Sequence, residues 1–156
     1  MSWKPDPGSK GTDALYHSWA GLFPYAFPPF SLIGRVLKKV LKHNIRMILV
    51  TPIWVTQTWY PQLLDMIIEE PLMLPNRFNI LRDPQGMNHP LVENSSMRLA
   101  AWLISGSHQE HNQFLTQLPC LSKMLGPQEL GEITSRPGTS LVAGVLTDRL
   151  IRFTAI

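Results

Sequence analysis

The sequence predicts an α/β fold built on a mostly parallel sheet with flanking helices and irregular segments at both ends. Two observations support this prediction. A helix with one apolar face is followed by a short, continuous apolar run, which is typical of a strand buried on both faces. The chain has 156 residues, of which 44% are hydrophobic and 16% charged, so it can bury the core of one domain.

Residues 32–42 form the most regular predicted helix. Its apolar residues recur at helical spacing on one face, and its basic residues occupy the other face. Ser31 is a suitable N-terminal cap for this helix. The apolar run at 46–51 follows as a strand. A helix followed by a strand is half of a β-α-β unit, which implies parallel pairing.

Five weaker elements follow along the chain. Residues 61–70 are predicted as a second helix, 72–74 and 78–81 as short strands, 97–104 as a longer strand and 108–118 as a polar helix. Beyond residue 118 the pattern weakens, and the composition becomes rich in Gly, Pro, Ser and Thr. We therefore expect an α/β domain at 1–118 and a largely irregular linker at 119–156.

Two consecutive prolines between aromatic residues predict a rigid loop ahead of the first helix. Each proline fixes its own φ near about −65° and pushes the residue before it toward an extended conformation. The loop should leave the end of a strand and present Phe27 and Phe30. Such a loop is either a packing corner or the floor of a site for a flat ring, and the sequence leaves both interpretations open.

Basic residues on and just after the first helix form the clearest electrostatic feature. No acidic residue lies between Asp13 and Asp65, whereas five basic residues do: Arg35, Lys38, Lys39, Lys42 and Arg46. They indicate either a solvated helix face or a surface that contacts the phosphate backbone of nucleic acid. Trp54 and Trp59 flank a loop at the C-terminal end of the strand, where open α/β sheets bind ligands. These rings either clamp a base or pack in the core.

Several kinds of chemistry have no support in the sequence. Cys120 is the single cysteine, so neither an internal disulfide nor a cysteine-based metal cluster is possible. His108 and His111 are spaced like metal ligands but lack a third ligand, and we expect a polar helix face there and no metal. No membrane segment or signal peptide is predicted. We expect an intracellular protein, cytoplasmic or nuclear.

Six short motifs resemble the polyprotein of DIRS-type tyrosine-recombinase retrotransposons. They are AFPPFSLIGR at 26–35, LVTPIW at 49–54, WYP at 59–61, HPL at 89–91, RLAAW at 98–102 and SRPG at 135–138. In those elements the corresponding region follows the reverse transcriptase and RNase H, is similar to phage Dam-type adenine methyltransferases, and leads into the recombinase. The resemblance implies a partial Rossmann-like, methyltransferase-type domain at 1–118 and the start of the recombinase lead-in at 119–156. Its implied partners are nucleic acid and other polyprotein domains.

The methyltransferase likeness gives the proline-rich loop a role in the family. Dam-type enzymes carry Asp or Asn, two prolines and an aromatic residue, which together bind the target amine and stack on the flipped base. Pro28, Pro29 and Phe30 match this motif. Phe27 replaces the acidic or amide residue, and a phenyl ring cannot accept a hydrogen bond from an amine. The resemblance therefore implies a degenerate domain without a cofactor, which binds nucleic acid or spaces the catalytic domains.

Two other interpretations of the chain stay open on the sequence alone. The chain could be part of an active DNA adenine methyltransferase that uses S-adenosylmethionine and is completed by residues upstream. Alternatively, it is a gene fragment without a function of its own, in which case we expect it to fold poorly by itself.

Overall fold

A computed structural model describes residues 13–75, 97–120 and 142–155, which contain seven strands and three α-helices. The strands are β1 (Tyr25–Ala26), β2 (Arg46–Pro52), β3 (Leu72–Met73), β4 (Leu99–Ser105), β5 (Val142–Leu146), β6 (Arg149–Arg152) and β7 (Thr154–Ala155). The helices are α1 (Ile33–His43), α2 (Tyr60–Leu64) and α3 (His108–Gln117), and a 3₁₀ turn (Phe30–Leu32) leads into α1.

The main sheet is mixed, with five strands in the order β1-β2-β4-β3-β7. β1 pairs in parallel with β2, and β3 pairs in parallel with β7. β4 lies between β2 and β3 and is antiparallel to both. β1, β2, β3 and β7 therefore share one direction, and β4 runs against them. The predicted α/β class is confirmed, whereas the expected mostly parallel sheet is interrupted at its centre by β4.

α1 and β2 form within a residue of their predicted ends because local patterning determines both. The apolar face of α1 is buried, and Ile33, Leu37 and Val40 have no exposed surface. The helix ends at His43 and is capped by Asn44, whose left-handed conformation (φ 47°, ψ 53°) is one that asparagine tolerates. The expected cap at Ser31 is wrong. Ser31 lies in the 3₁₀ turn, and Leu32 occupies the cap position of α1 without a side-chain hydrogen bond.

α2 is much shorter than the helix predicted at 61–70. It ends at Leu64, and the chain then extends along β4. The amide of Ile68 donates to the carbonyl of Leu103 at 3.0 Å, and the amide of Ser105 donates to the carbonyl of Met66 at 2.8 Å. This pairing overrides the helical spacing because β-branched residues pack well beside a strand, and Ile67 becomes fully buried there.

Three other elements predicted in the first 118 residues are present in the structure, but they begin or end at different residues than predicted. The strands expected at 72–74 and 97–104 correspond to β3 and β4, and the helix expected at 108–118 corresponds to α3. The candidate strand at 78–81 lies outside the described residues.

Residues 142–155 form strands, so the expectation of a largely irregular tail is wrong for this part of 119–156. β5 and β6 form an antiparallel hairpin, and its two turn residues Thr147 and Asp148 both have positive φ, 45° and 61°. Positive φ at both central residues is the requirement of a tight type I′ hairpin turn. β7 then joins the main sheet beside β3. Residues 121–141 of the expected linker lie outside the described residues.

The core of the protein is centred on Trp102 of β4, which is fully buried. Its indole N–H donates to the hydroxyl of Thr51 at 2.9 Å, and its ring meets Tyr60 and Phe153 edge-on at centroid distances of 5.8 Å and 5.5 Å. The hydroxyl of Tyr60 donates to the carbonyl of Ala143 at 2.9 Å, and burial raises the pKa of Tyr60 above its ordinary value. This cluster joins the sheet, α2 and the tail in one core.

Exposed apolar residues concentrate at the edge of the sheet formed by β1. Leu22, Phe23, Tyr25 and Phe27 are between 37% and 68% exposed. In the described ranges, no helix combines the length and the hydropathy needed to cross a membrane.

Candidate nucleic-acid interface

α1 holds three of the five predicted basic residues in solvent on one face. Arg35, Lys38 and Lys42 are exposed, and their spacing of three and four residues makes them neighbours on the helix surface. Between Arg35 and Lys42, which are seven positions apart, the helix rises about 10 Å. Within the described ranges none of the three forms an ion pair. We call these three residues the basic face.

Lys39 is engaged in the fold rather than directed outward. It is half-buried, and its ammonium group donates to the carbonyl of Leu15 at 2.7 Å. The same group lies 5.1 Å from the ring centroid of Trp19, which is a cation–π distance. Lys39 therefore ties the segment before β1 to α1 and contributes less to the outer surface than the sequence predicted.

Arg46 lies at the start of β2 and is paired with Glu110 of α3. The guanidinium donates to both carboxylate oxygens of Glu110, with Nη2 2.7 Å from Oε1 and Nε 3.0 Å from Oε2. These bonds, with a further one from Ser105, hold the pKa of the Glu110 carboxyl below its ordinary value. Part of the positive charge that the sequence assigned to the interface is therefore neutralised within the chain.

The pairing of Glu110 predicts a weak pH dependence of stability. Its pKa is lower in the folded chain than in the unfolded one, so the pair stabilises the fold above the ordinary value of 4.5. That contribution is lost as the pH falls through the folded pKa. We expect Glu110→Gln to lower the unfolding free energy slightly at pH 7 and by less at pH 3, as measured by urea unfolding. An exposed pair contributes little, so the effect is small. The exposed Glu69→Gln is the control, and an equal loss at both pH values for Glu110→Gln would contradict the prediction.

A groove of about 600 Å³ lies between α1 and the loop that follows β2. Cations, amides, hydroxyls and aromatic rings line it: Phe30, Ser31, Gly34, Arg35, Lys38, Trp54, Gln57, Thr58, Trp59 and Gln62. Trp54 is half-buried and packs edge-on against Phe30, with centroids 4.7 Å apart. Trp59 is only 8% exposed and packs beside Tyr60. Trp54 is therefore the better placed ring for a ligand, and Trp59 belongs mainly to the core. We call this the aromatic groove.

A second concavity, of about 300 Å³, adjoins the aromatic groove. It is lined almost entirely by cationic or titratable side chains: Leu15, Arg35, Lys38, Lys39, Lys42 and His43. Arg35 and Lys38 line both hollows, so the two share a wall. We call the second hollow the basic hollow. One half of the combined surface can thus hold an anion, and the other half offers a ring and hydrogen-bonding groups.

The proline-rich loop lines a separate groove of about 510 Å³ beside β1. Phe27, Pro28 and Pro29 form part of its wall, and Phe30 points instead to the aromatic groove. No carboxylate, carboxamide or amine side chain is found among the described residues that line it. The structure thus separates the four residues of the predicted motif between two grooves.

The two histidines of the predicted pair lie in different environments. His108 is exposed, whereas His111 is only 6% exposed and its Nδ1 is hydrogen-bonded to the carbonyl of Ile67 at 2.7 Å. The expected polar helix face is therefore wrong for His111, which anchors α3 to the chain beyond α2. In the described ranges no group of three or more potential metal ligands occurs.

Several polar residues of the site were not predicted individually. Gln57, Thr58 and Gln62 line the aromatic groove, and His43 lines the basic hollow. A signal for the first two existed, because both lie in the loop after β2, at the sheet end where α/β folds bind ligands. Gln62 and His43 lie on helices, and no sequence pattern distinguishes them from ordinary surface residues.

Comparison of the chain with protein-family models, with curated proteins and with solved structures gives no significant match. Function is therefore inferred from the geometry of the site.

Proposed function

We propose that this protein is a methyltransferase-like α/β domain, without methyl-transfer activity, that binds nucleic acid through the basic face. The observation that carries the proposal is the arrangement of Arg35, Lys38 and Lys42. The three exposed cations lie on one helix face, directly beside a groove lined by aromatic and amide side chains. The proposal includes a retroelement origin, in which the other domains of the polyprotein are the partners of this one.

Phosphate is the chemical group that best fits the basic face. Among the described residues these cations form no ion pair, and such a row of cations attracts a polyanion. Counterions are released from the nucleic acid when it binds. The two long lysine side chains can follow successive phosphates, and the planar guanidinium of Arg35 can bind one of them with two hydrogen bonds. Such binding depends on salt and only weakly on base sequence.

The position of the proline-rich loop supports the methyltransferase-like part of the proposal. The resemblance implies that the family's motif of Asp or Asn, two prolines and an aromatic residue stands at the end of a strand. In this chain the loop directly follows β1, which pairs in parallel with β2.

The lining of the groove beside β1 argues against methyl transfer. S-adenosylmethionine presents ribose hydroxyls and a charged amino-acid group, which need carboxylate, amide or amine partners. The described side chains of this groove supply none of them, so they do not fit the cofactor. Phe27 is 37% exposed on its wall and offers no acceptor to a target amine. The position of the loop is the one feature that favours an active methyltransferase.

The proposal predicts a specific salt dependence for binding to a short labelled DNA. Removing one phosphate contact should weaken binding uniformly across sequences. It should also flatten the slope of log K against log salt by about 0.7 for single strands or about 0.9 for duplex. We expect this change for Lys38→Ala, measured by fluorescence anisotropy over a series of salt concentrations.

Arg152→Ala is the matched control for this experiment. Arg152 is also exposed and basic, but it lies on β6 and lines neither the aromatic groove nor the basic hollow. Its removal lowers the net charge equally and should leave the slope unchanged. If the native chain failed to bind at low salt, or if both variants changed the slope equally, the basic face would not be the interface.

A further inference from the structure

We propose that the aromatic groove and the basic hollow together bind one unstacked nucleotide of a single strand, with its phosphate at the shared wall and its base against Trp54. This inference rests on the proposed nucleic-acid binding and specifies the form of the nucleic acid. It assigns different parts of a nucleotide to the two hollows.

The shared wall places the phosphate. Arg35 and Lys38 line both hollows, and Lys42 extends the positive charge along the basic hollow. A phosphate between Arg35 and Lys38 can accept charge-assisted hydrogen bonds from both side chains. The neighbouring phosphate of the strand then lies toward Lys42 and His43. The base attached to the first phosphate is left beside the aromatic groove.

The aromatic groove offers a fixed ring to that base. Trp54 packs edge-on against Phe30 at 4.7 Å and also against the small apolar cluster of Val50, Met97 and Leu99. These contacts on its buried side hold the indole in one orientation, so little conformational freedom is lost when a base stacks on its exposed part. Stacking on an aromatic side chain tolerates every base, since each base has a π-face.

The rest of the groove can bind the polar edge of a base. Gln57, Thr58 and Gln62 carry carboxamides and a hydroxyl, which both donate and accept hydrogen bonds. None of them carries a charge, so this part of the groove is polar without attracting a second phosphate. A base edge with mixed donors and acceptors therefore matches it better than an anion does.

The size of the groove favours a single strand over a duplex. A volume of about 600 Å³ lies within the usual range for a site that encloses a small ligand. A base within a duplex is stacked and paired, and it must be extruded before it can enter. A base of a single strand is available without that cost. The basic face alone would bind either form.

The test uses the whole chain and four labelled probes: a single-stranded oligothymidine, the matched duplex, an abasic strand with the same phosphates, and a mononucleotide. We expect the single strand to bind about tenfold more tightly than the abasic strand, which is the order of one stacking contact. Trp54→Ala should remove this difference and leave the salt slope unchanged. Trp54→Phe should retain part of it, which keeps the test valid if the alanine variant folds poorly.

Tyr25→Ala is the matched control, because Tyr25 is an exposed aromatic residue that lines the other groove. It should not alter binding of any probe. Equal affinity for single, duplex and abasic strands, with a slope that still depends on Lys38, would overturn this inference alone. A mononucleotide that binds as tightly as the strand would make the ligand a free nucleotide and also overturn it. Absence of binding to every probe would overturn the proposed function as well.

Discussion

Replacing Trp102 with alanine is expected to lower the free energy of unfolding by about 3–5 kcal/mol, the range for truncating a large aromatic residue in a packed core. The side chain has no exposed surface and contacts Tyr60 and Phe153, so its loss leaves a void between the sheet and the tail. The hydroxyl of Thr51, which is fully buried, would also lose the donor that now satisfies it. The total free energy of unfolding of a small domain is about 5–15 kcal/mol, so this single substitution removes a large part of it.

Urea unfolding followed by circular dichroism measures the effect. Trp102→Phe keeps an aromatic ring at this position but removes the N–H donor. We expect it to lower the free energy of unfolding by about 1–3 kcal/mol. Val145→Ala shortens an apolar side chain that is 48% exposed and should change stability by less than about 0.5 kcal/mol. If Trp102→Phe were as destabilising as Trp102→Ala, the hydrogen bond rather than the packed volume would dominate. A cooperative transition in the native chain would also argue against a fragment that folds poorly by itself.

Gly106→Ala is expected to destabilise the protein by about 1–3 kcal/mol or more, because the site is closed by backbone rather than by movable side chains. A β-carbon at this position would lie 2.5 Å from the carbonyl oxygen of Val40 and 2.8 Å from the Cα of Asn44. The amide of Gly106 also donates to the carbonyl of Ile45 at 3.0 Å. The end of β4 therefore passes so close to the end of α1 that only glycine fits.

Gly34→Ala is the matched control for Gly106→Ala in the same unfolding assay. A β-carbon at Gly34 would meet no atom within 4 Å, and the residue lies inside α1. Alanine is a better helix former than glycine, so we expect Gly34→Ala to raise the free energy of unfolding by about 0.5–1 kcal/mol. Opposite signs for the two substitutions are the expected result. A neutral Gly106→Ala would mean that the contact between α1 and β4 yields more easily than the distances indicate.

The elements that could be predicted from the sequence are those with strong local patterning. α1 shows the helical period over three turns, and β2 is a continuous apolar run, so neither depends on knowing its neighbours. The end of α2 could not be predicted in this way. Ile67 and Ile68 fit a helix locally, and their pairing with β4 is a contact with residues more than 30 positions away along the chain.

The hairpin in the tail was missed for a different reason. Tight hairpin turns are usually recognised by Asn-Gly or Asp-Gly, because both central residues need positive φ. Here Thr147 and Asp148 adopt that conformation without a glycine, and threonine does so at a steric cost. The sequence therefore lacks the usual turn signal. The Gly- and Pro-rich composition before residue 142 then favoured an irregular interpretation of the whole tail.

The sequence predicted which basic residues lie near the site, but not which of them the fold leaves free to contact a ligand. Lys39 is engaged by a carbonyl 24 residues away, and Arg46 by a carboxylate 64 residues away. Neither partner follows from the sequence around the lysine or the arginine. The separation of Phe30 from Phe27 is likewise a result of folding, because the chain turns into its 3₁₀ segment between them.

The pairing of β7 with β3 has a consequence for how the chain is made in the cell. Chains are synthesised from the N-terminus, and domains generally fold as units. Until residues 142–155 have emerged, the hydroxyl of Tyr60 lacks its acceptor at Ala143, and Trp102 lacks its contact with Phe153. The nascent chain therefore carries an uncovered apolar surface until that segment is available. Completion of the sheet requires β7, so this domain cannot close its core before residues 142–155 have been synthesised.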